Sequence, residues 1–121
     1  MKSGEIWWVR LDPAVGDELR KIRPVLVLNP GHERFLRLAV VVPVTGWRPR
    51  WADNPFFVRL EPSGANGLAK VSAVDCFQIR ALSHERFQRR AGSVTSSEHD
   101  RVLRALALIL DMDPEHCQLL Q

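Results

Sequence analysis

At 121 residues, 45% of them hydrophobic, the chain is long enough for one domain with a packed core and too apolar to be disordered. No apolar run approaches the roughly 20 residues that a membrane span needs, and the N-terminus lacks an apolar leader core, so a cytoplasmic protein is expected. The formal charge is +3; Asp111, Asp113 and Glu115 sit in an end stretch with no Lys or Arg, which leaves +6 on the first 110 residues, a balance that points to a polyanionic partner, nucleic acid first.

Glu5 to Leu11 alternates, with Trp7, Val9 and Leu11 on one apolar face and Trp8 and Arg10 on the other. That is the pattern of a half-buried antiparallel strand, with Trp8 as a surface or interface aromatic. Asp12-Pro13 ends it. A charged loop, Gly16-Asp17-Glu18-Leu19-Arg20-Lys21-Ile22-Arg23, then runs into the apolar strand Val25 to Leu28. Pro24 has no amide hydrogen and belongs at the first residue of that strand. It also forces Arg23 into an extended conformation at the sheet rim. After the Asn29-Pro30-Gly31-His32 turn, Phe35 to Val44 is the longest strand signal, and Pro43 within it implies an edge or a bulge.

Gly46 to Asn54 carries Trp47-Arg48-Pro49-Arg50-Trp51, and Pro55 to Leu60 is again extended. Leu68 to Val74 and Phe77 to Leu82 follow as strands, Ser83 to Phe87 as one helical turn and Ala91 to Val94 as a last short strand. Thr95-Ser96-Ser97-Glu98 is a capping box for a helix from Ser96 to about Leu110, with Val102, Leu103, Leu106, Ile109 and Leu110 as its apolar stripe. Many short strands at regular spacing with one terminal helix predict a mainly β, α+β fold: a small antiparallel barrel packed with a terminal helix. One domain spans 1–121, with a core over 4–110 and an acidic tail over 111–121.

The order and spacing of several pieces resemble the MazF/PemK-type toxins, the mRNA interferases of bacterial toxin–antitoxin pairs. The pieces are Gly4-Glu5-Ile6-Trp7-Trp8-Val9-x-Leu11-Asp12-Pro13, the Gly16–Val27 stretch with Glu18 and Arg23-Pro24, Val41-Val42-Pro43-Val44-Thr45, Pro55-Phe56-x-Val58-x-Leu60, Gly67-Leu68, Ser72-x-Val74-Asp75 and Gly92-x-Val94. The resemblance implies an SH3-like barrel, described as CcdB/MazF-like, working as a homodimer. It implies sequence-specific cleavage of single-stranded RNA to 2′,3′-cyclic phosphate and 5′-hydroxyl ends. It also implies a cognate antitoxin with an acidic, disordered segment. Residue by residue, the family's catalytic Arg falls on Arg23, its catalytic Thr on Thr45 and its loop acid on Glu18. Two departures stand out: Asp17 follows Gly16 where Ser is frequent, and Asp75-Cys76-Phe77-Gln78 holds an extra residue between Asp and Gln.

The residues permit that chemistry without a cofactor. The chain has no Gly-rich phosphate loop, no zinc-spaced His/Cys cluster and no compact carboxylate set for magnesium. His32, His84, His99 and His116 are scattered, as ordinary surface residues are. Cys76 lies in an apolar run and reads as a small buried hydrophobe, and Cys117 lies in the tail. RNA supplies its own nucleophile, the 2′-hydroxyl, which needs a base, a cation for the phosphate and a donor for the leaving oxygen. Arg23 would grip the phosphate bidentately, Thr45 would donate to it, and Glu18 would take the proton, since Arg is a poor base.

Candidate RNA contacts are Asp17, Arg20 and Lys21 in the loop, the aromatic–cationic set Trp47, Arg48, Arg50 and Trp51, and Gln78 and Arg86. The residues also allow a non-catalytic reading on the same barrel, either an RNA- or protein-binding module or a toxin that contacts gyrase. The gyrase-directed relatives depend on a Trp-Gly-Ile end, whereas this chain ends Cys117-Gln118-Leu119-Leu120-Gln121.

Overall fold

A computed structural model describes residues 1–11, 22–29 and 37–113. Seven strands and one helix make up the described fold: β1 (Glu5–Arg10), β2 (Ile22–Val27), β3 (Leu38–Gly46), β4 (Phe57–Leu60), β5 (Ser72–Asp75), β6 (Arg80–Ser83), β7 (Phe87–Ser93) and α1 (Ser96–Ile109). Every pairing is antiparallel, in the order β4-β5-β3-β2-β1-β7, and β6 joins along β3. The sheet curls into a roughly barrel-like shape without closing.

The nine-residue β3 is the hinge of this sheet. Its first half, Leu38 to Val41, pairs with β6, and its last three residues, Val44 to Gly46, pair with β5. Val41 to Pro43 pair with β2. One strand therefore carries a pairing partner at each stage of its length, and its end delivers Thr45 and Gly46 to the rim.

Two apolar clusters form on opposite faces of the sheet. Ile6, Leu26, Val42, Val44, Val74 and Cys76 lie in one, which α1 covers with Val102, Ala105 and Leu106. Val9, Val25, Val27, Ala39, Val41 and Leu82 form the other, with Trp7 and Leu11 packed against it. The alternation Val25/Leu26/Val27 and Val41/Val42 sends successive side chains to opposite clusters, as a pleated strand requires. This corrects the half-buried reading of β1: Ile6 and Val9 are both fully buried, on different faces.

Other boundaries shift for identifiable reasons. The strand expected to begin at Pro24 begins at Ile22, and Pro24 sits inside it opposite Trp8. Pairing to β3 starts only at Val25, so Pro24 lies where that side of the ladder is open and its missing amide leaves no gap. The strand expected over Leu68 to Val74 shortens to Ser72–Asp75, and the strand expected over Phe77 to Leu82 is split. Asp75 Oδ1 accepts from the Phe77 amide at 3.1 Å and caps a 3₁₀ turn over Cys76–Gln78.

The last strand starts four residues earlier than expected, at Phe87. The capping box forms in full: the Glu98 amide donates to Thr95 Oγ1 at 3.1 Å and the Thr95 amide to Glu98 Oε1 at 2.8 Å. On α1, Leu103 and Leu110 face outward, and Ala105 takes the inward place between Val102 and Leu106. A stripe at i, i+3, i+4 and i+7 selects 102, 105, 106 and 109, one face of a 3.6-residue turn. Burial pushes the Cys76 thiol up to about 12, and the neighbouring Asp75 charge adds to it, so it stays a neutral core group.

Candidate active site

The end of β3, the start of β2 and the segment from Gly67 to Ser72 enclose an open cleft of about 590 Å³. Arg23 and Thr45 both line it, with Trp8, Trp47, Arg48 and Lys70. Arg23 is exposed on β2, opposite Val9 in the register. Thr45 is exposed on β3, opposite Ala73. Val9 and Ala73 are themselves fully buried, so both candidate side chains rise from backbone that the core holds in place.

Among the described residues the electrostatics are one-sided. Arg23, Arg48 and Lys70 line the cleft, and none of its described lining residues is acidic. No hydrogen bond or ion pair to another described residue engages these three cationic groups. Cations gathered in a concave wall without counter-charges focus a positive potential on the space between them. Such a cleft suits an anion that brings its own oxygens.

The aromatic loop splits into two roles. Trp47 and Arg48 line the cleft. Trp51 stacks on Phe57 with ring centroids 4.0 Å apart and planes 9° apart, and Trp47 meets Trp51 edge-on at 6.3 Å. Arg50 lies over the Trp51 ring at 5.6 Å and Arg59 over Trp47 at 5.4 Å. Arg50 and Trp51 do not line the cleft; Trp51 touches it only through its edge contact with Trp47.

Two further candidates are committed elsewhere. Gln78 Nε2 donates to Asp75 Oδ2 at 2.6 Å. Arg86 Nη1 donates to the carbonyls of Arg10 and Leu11 at 3.1 and 2.9 Å, pinning the end of β1. Neither lines the cleft. Asp17, Glu18, Arg20 and Lys21 lie outside the described residues. Among the described residues no group of three His, Cys, Asp or Glu side chains converges as metal ligands would, and no helix is long and apolar enough to cross a membrane.

Lys70 escaped the reading of the sequence. A lone Lys between Ala69 and Val71 carries no motif or period. Only the β3–β5 register, which sets Gly46 opposite Ser72, brings it against Gly46, the residue after Thr45.

Comparison with known proteins agrees with this architecture. Residues 2–110 match the family described as PemK-like, MazF-like toxin of type II toxin–antitoxin systems. Endoribonuclease PemK of Escherichia coli is 37% identical over 112 residues, covering 91% of this chain and 82% of that protein. Endoribonuclease MazF9 of Mycobacterium tuberculosis is 36% identical over 118 residues, covering 93% of this chain and 98% of that one. Among solved structures, a MazE–MazF structure (Form II) from Deinococcus radiodurans superposes with a TM-score of 0.76 at 25% identity, over 93% of this chain and 97% of that one. The chain belongs to the PemK-like, MazF-like toxins of type II toxin–antitoxin systems.

Proposed function

We propose that this chain is a toxin-type endoribonuclease that cuts single-stranded RNA at a short preferred sequence without a metal ion. The observation that carries the reading is the meeting of Arg23 and Thr45, far apart in sequence, in one cleft free of described acids. Membership of a family whose relatives are named endoribonucleases supports it.

In the proposed step the 2′-oxygen attacks the adjacent phosphorus as Glu18 removes its proton. The bond to the 5′-oxygen breaks, and a proton delivered to that oxygen balances the one taken. The products are a 2′,3′-cyclic phosphate and a 5′-hydroxyl, so no water or cofactor is consumed. Arg23, a planar fork of donors, holds two phosphate oxygens as charge grows on them. Thr45 Oγ1 donates to the same group. DNA lacks the nucleophile and is spared. The protein works in the cytoplasm as a homodimer, and an antitoxin with an acidic, disordered segment neutralises it by covering the basic cleft.

The test is digestion of a mixed-sequence single-stranded RNA in EDTA by the parent and by Arg23→Ala, with fragment ends determined. Discrete cuts ending in 2′,3′-cyclic phosphate, lost in the variant, are expected. Intact RNA with folded, antitoxin-free parent protein would instead favour a binding module. Near-normal cleavage by Glu18→Gln would remove Glu18 from the base role.

A further inference from the structure

We propose that Lys70 binds a backbone phosphate of the RNA next to the scissile one, and so sets how tightly the substrate is held. This rests on the endoribonuclease reading above and adds a residue to it.

Position comes first. A Cβ built on Gly46 would lie 3.2 Å from Lys70 Nζ and 3.4 Å from Cε. The ammonium therefore lies against the backbone of the residue that follows Thr45. Successive residues of a strand face opposite sides, so Lys70 addresses the side of β3's end away from the Thr45 hydroxyl. Two groups straddling one strand end suit two neighbouring phosphates better than one.

The main chain that carries Lys70 is held on both flanks. Leu68 is buried in the α1-side core. The buried Asn66 accepts from the Leu68 amide at 3.0 Å and from the Ser63 amide at 2.9 Å, and its Nδ2 donates to Glu61 O at 2.7 Å. Downstream, the Ser72 hydroxyl donates to Lys70 O at 2.9 Å, and the Trp47 amide donates to Val71 O at 3.1 Å. A fixed backbone thus presents a flexible four-carbon stem with an ammonium that no described residue engages. Lys is a compact point charge without Arg's fork, which fits a flanking phosphate that must be held but not transformed.

The test is equilibrium binding of a mixed-sequence single-stranded RNA, 2′-O-methylated throughout and therefore not cleavable, measured across salt concentrations. Each phosphate contact on a single strand contributes about 0.7 to the slope of log affinity against log salt. Lys70→Gln should lower the slope by about 0.7. Lys70→Arg should restore it, and Arg80→Gln, which removes an exposed charge on β6, should leave it unchanged. With cleavable RNA, the rate deficit of Lys70→Gln should vanish at saturating substrate. Gly46→Ala keeps the charge and puts a methyl 3.2 Å from the ammonium, so the tip of the Lys70 stem must give way. It should flatten the slope in the parent and add nothing in the Lys70→Gln background, the signature of one shared contact.

An unchanged slope in Lys70→Gln, in a parent that binds and cuts RNA, overturns the assignment and leaves the nuclease reading intact. A parent that binds RNA through Lys70 but never cuts it overturns the nuclease reading and leaves Lys70 standing. A folded parent that binds no RNA overturns both.

Discussion

The cleft and the β7 edge are both rich in Arg and Lys, and they use those residues in opposite ways. In the cleft Arg23, Arg48 and Lys70 line the wall without a hydrogen bond or ion pair to a described residue. Along β7 and the turn before it, each cation is spent on the fold. Arg86 holds two carbonyls of β1's end. Arg90 bonds Glu5 Oε2 at 3.0 Å and Ser93 Oγ at 2.7 Å. Arg89 covers the Trp8 ring at 5.4 Å. A charge with its partners in place contributes to stability, whereas one left open contributes binding capacity. The contrast is one of partners, and it separates two clusters that look alike in composition.

Arg23→Ala should show the largest effect on the cleft side. Loss of one charge-stabilising donor at a developing oxyanion typically costs about 10²- to 10³-fold in rate. Because Arg23 is exposed and engages no described side chain, the urea midpoint should not move. A variant that loses activity and stability together would mean that Arg23 belongs with the structural cations.

Arg86→Ala is the mirror experiment. It leaves the exposed carbonyl of Arg10 to water and the partly buried one of Leu11 without its donor, and loss of such a hydrogen bond costs about 0.5–1.5 kcal/mol. The midpoint in urea should fall and the salt dependence of RNA binding should not. A spared midpoint with a flattened salt slope would make Arg86 an RNA contact, as the sequence suggested for that residue.

The allocation of these cations shows where the sequence was legible. The β1 alternation, the Thr95–Glu98 capping box and the buried Cys76 are local patterns, readable because period and capping act within a few residues. The meeting of Arg23 and Thr45 in one cleft was legible through family spacing. Arg86 was not, because its partners stand at residues 10 and 11 and nothing near it reports them. Lys70 was not, because its position depends on pairing β3 with β5. Trp51 looked like Trp47 in the loop, and only its stacking on Phe57 tells the two apart. Local physics is written locally; the allocation of a surface charge is written in the register of distant strands.

Glu5 is the anchor of the structural side and gives a pH-dependent effect. Its Oε1 accepts from the Lys2 amide at 2.8 Å and from Trp7 Nε1 at 3.1 Å, while Oε2 meets Arg90. Burial pushes its carboxyl up, but the Trp7 and Lys2 hydrogen bonds and the Arg90 charge outweigh it and hold it below its usual 4.5. A carboxylate with a lowered folded-state pKa stabilises the fold above its unfolded value and loses that contribution as pH falls through the lowered one. Glu5→Gln should therefore be less stable than the parent at pH 7 by about 1–2 kcal/mol. The gap should close under acid, below 4.5. A gap that stays constant from pH 7 to pH 3 would mean that shape, not charge, holds the junction.

Arg89 sits on the border between the two regions and should give the smallest effect. It belongs to β7, yet the ring it covers, Trp8, lines the cleft. A cation over an aromatic face at an exposed site is worth about 0.5–1 kcal/mol, so Arg89→Gln should shift the urea midpoint only slightly. Its sharper consequence is optical. The emission assigned to Trp8, taken as the difference between each protein and its Trp8→Phe counterpart, should change when the guanidinium is removed. If the variant also weakens RNA binding by more than one charge's share of the salt slope, about 0.7, then Arg89 holds Trp8 in a posture the substrate needs. The boundary between structural and functional cations would then run through that ring, with Arg89 acting on the cleft from behind it.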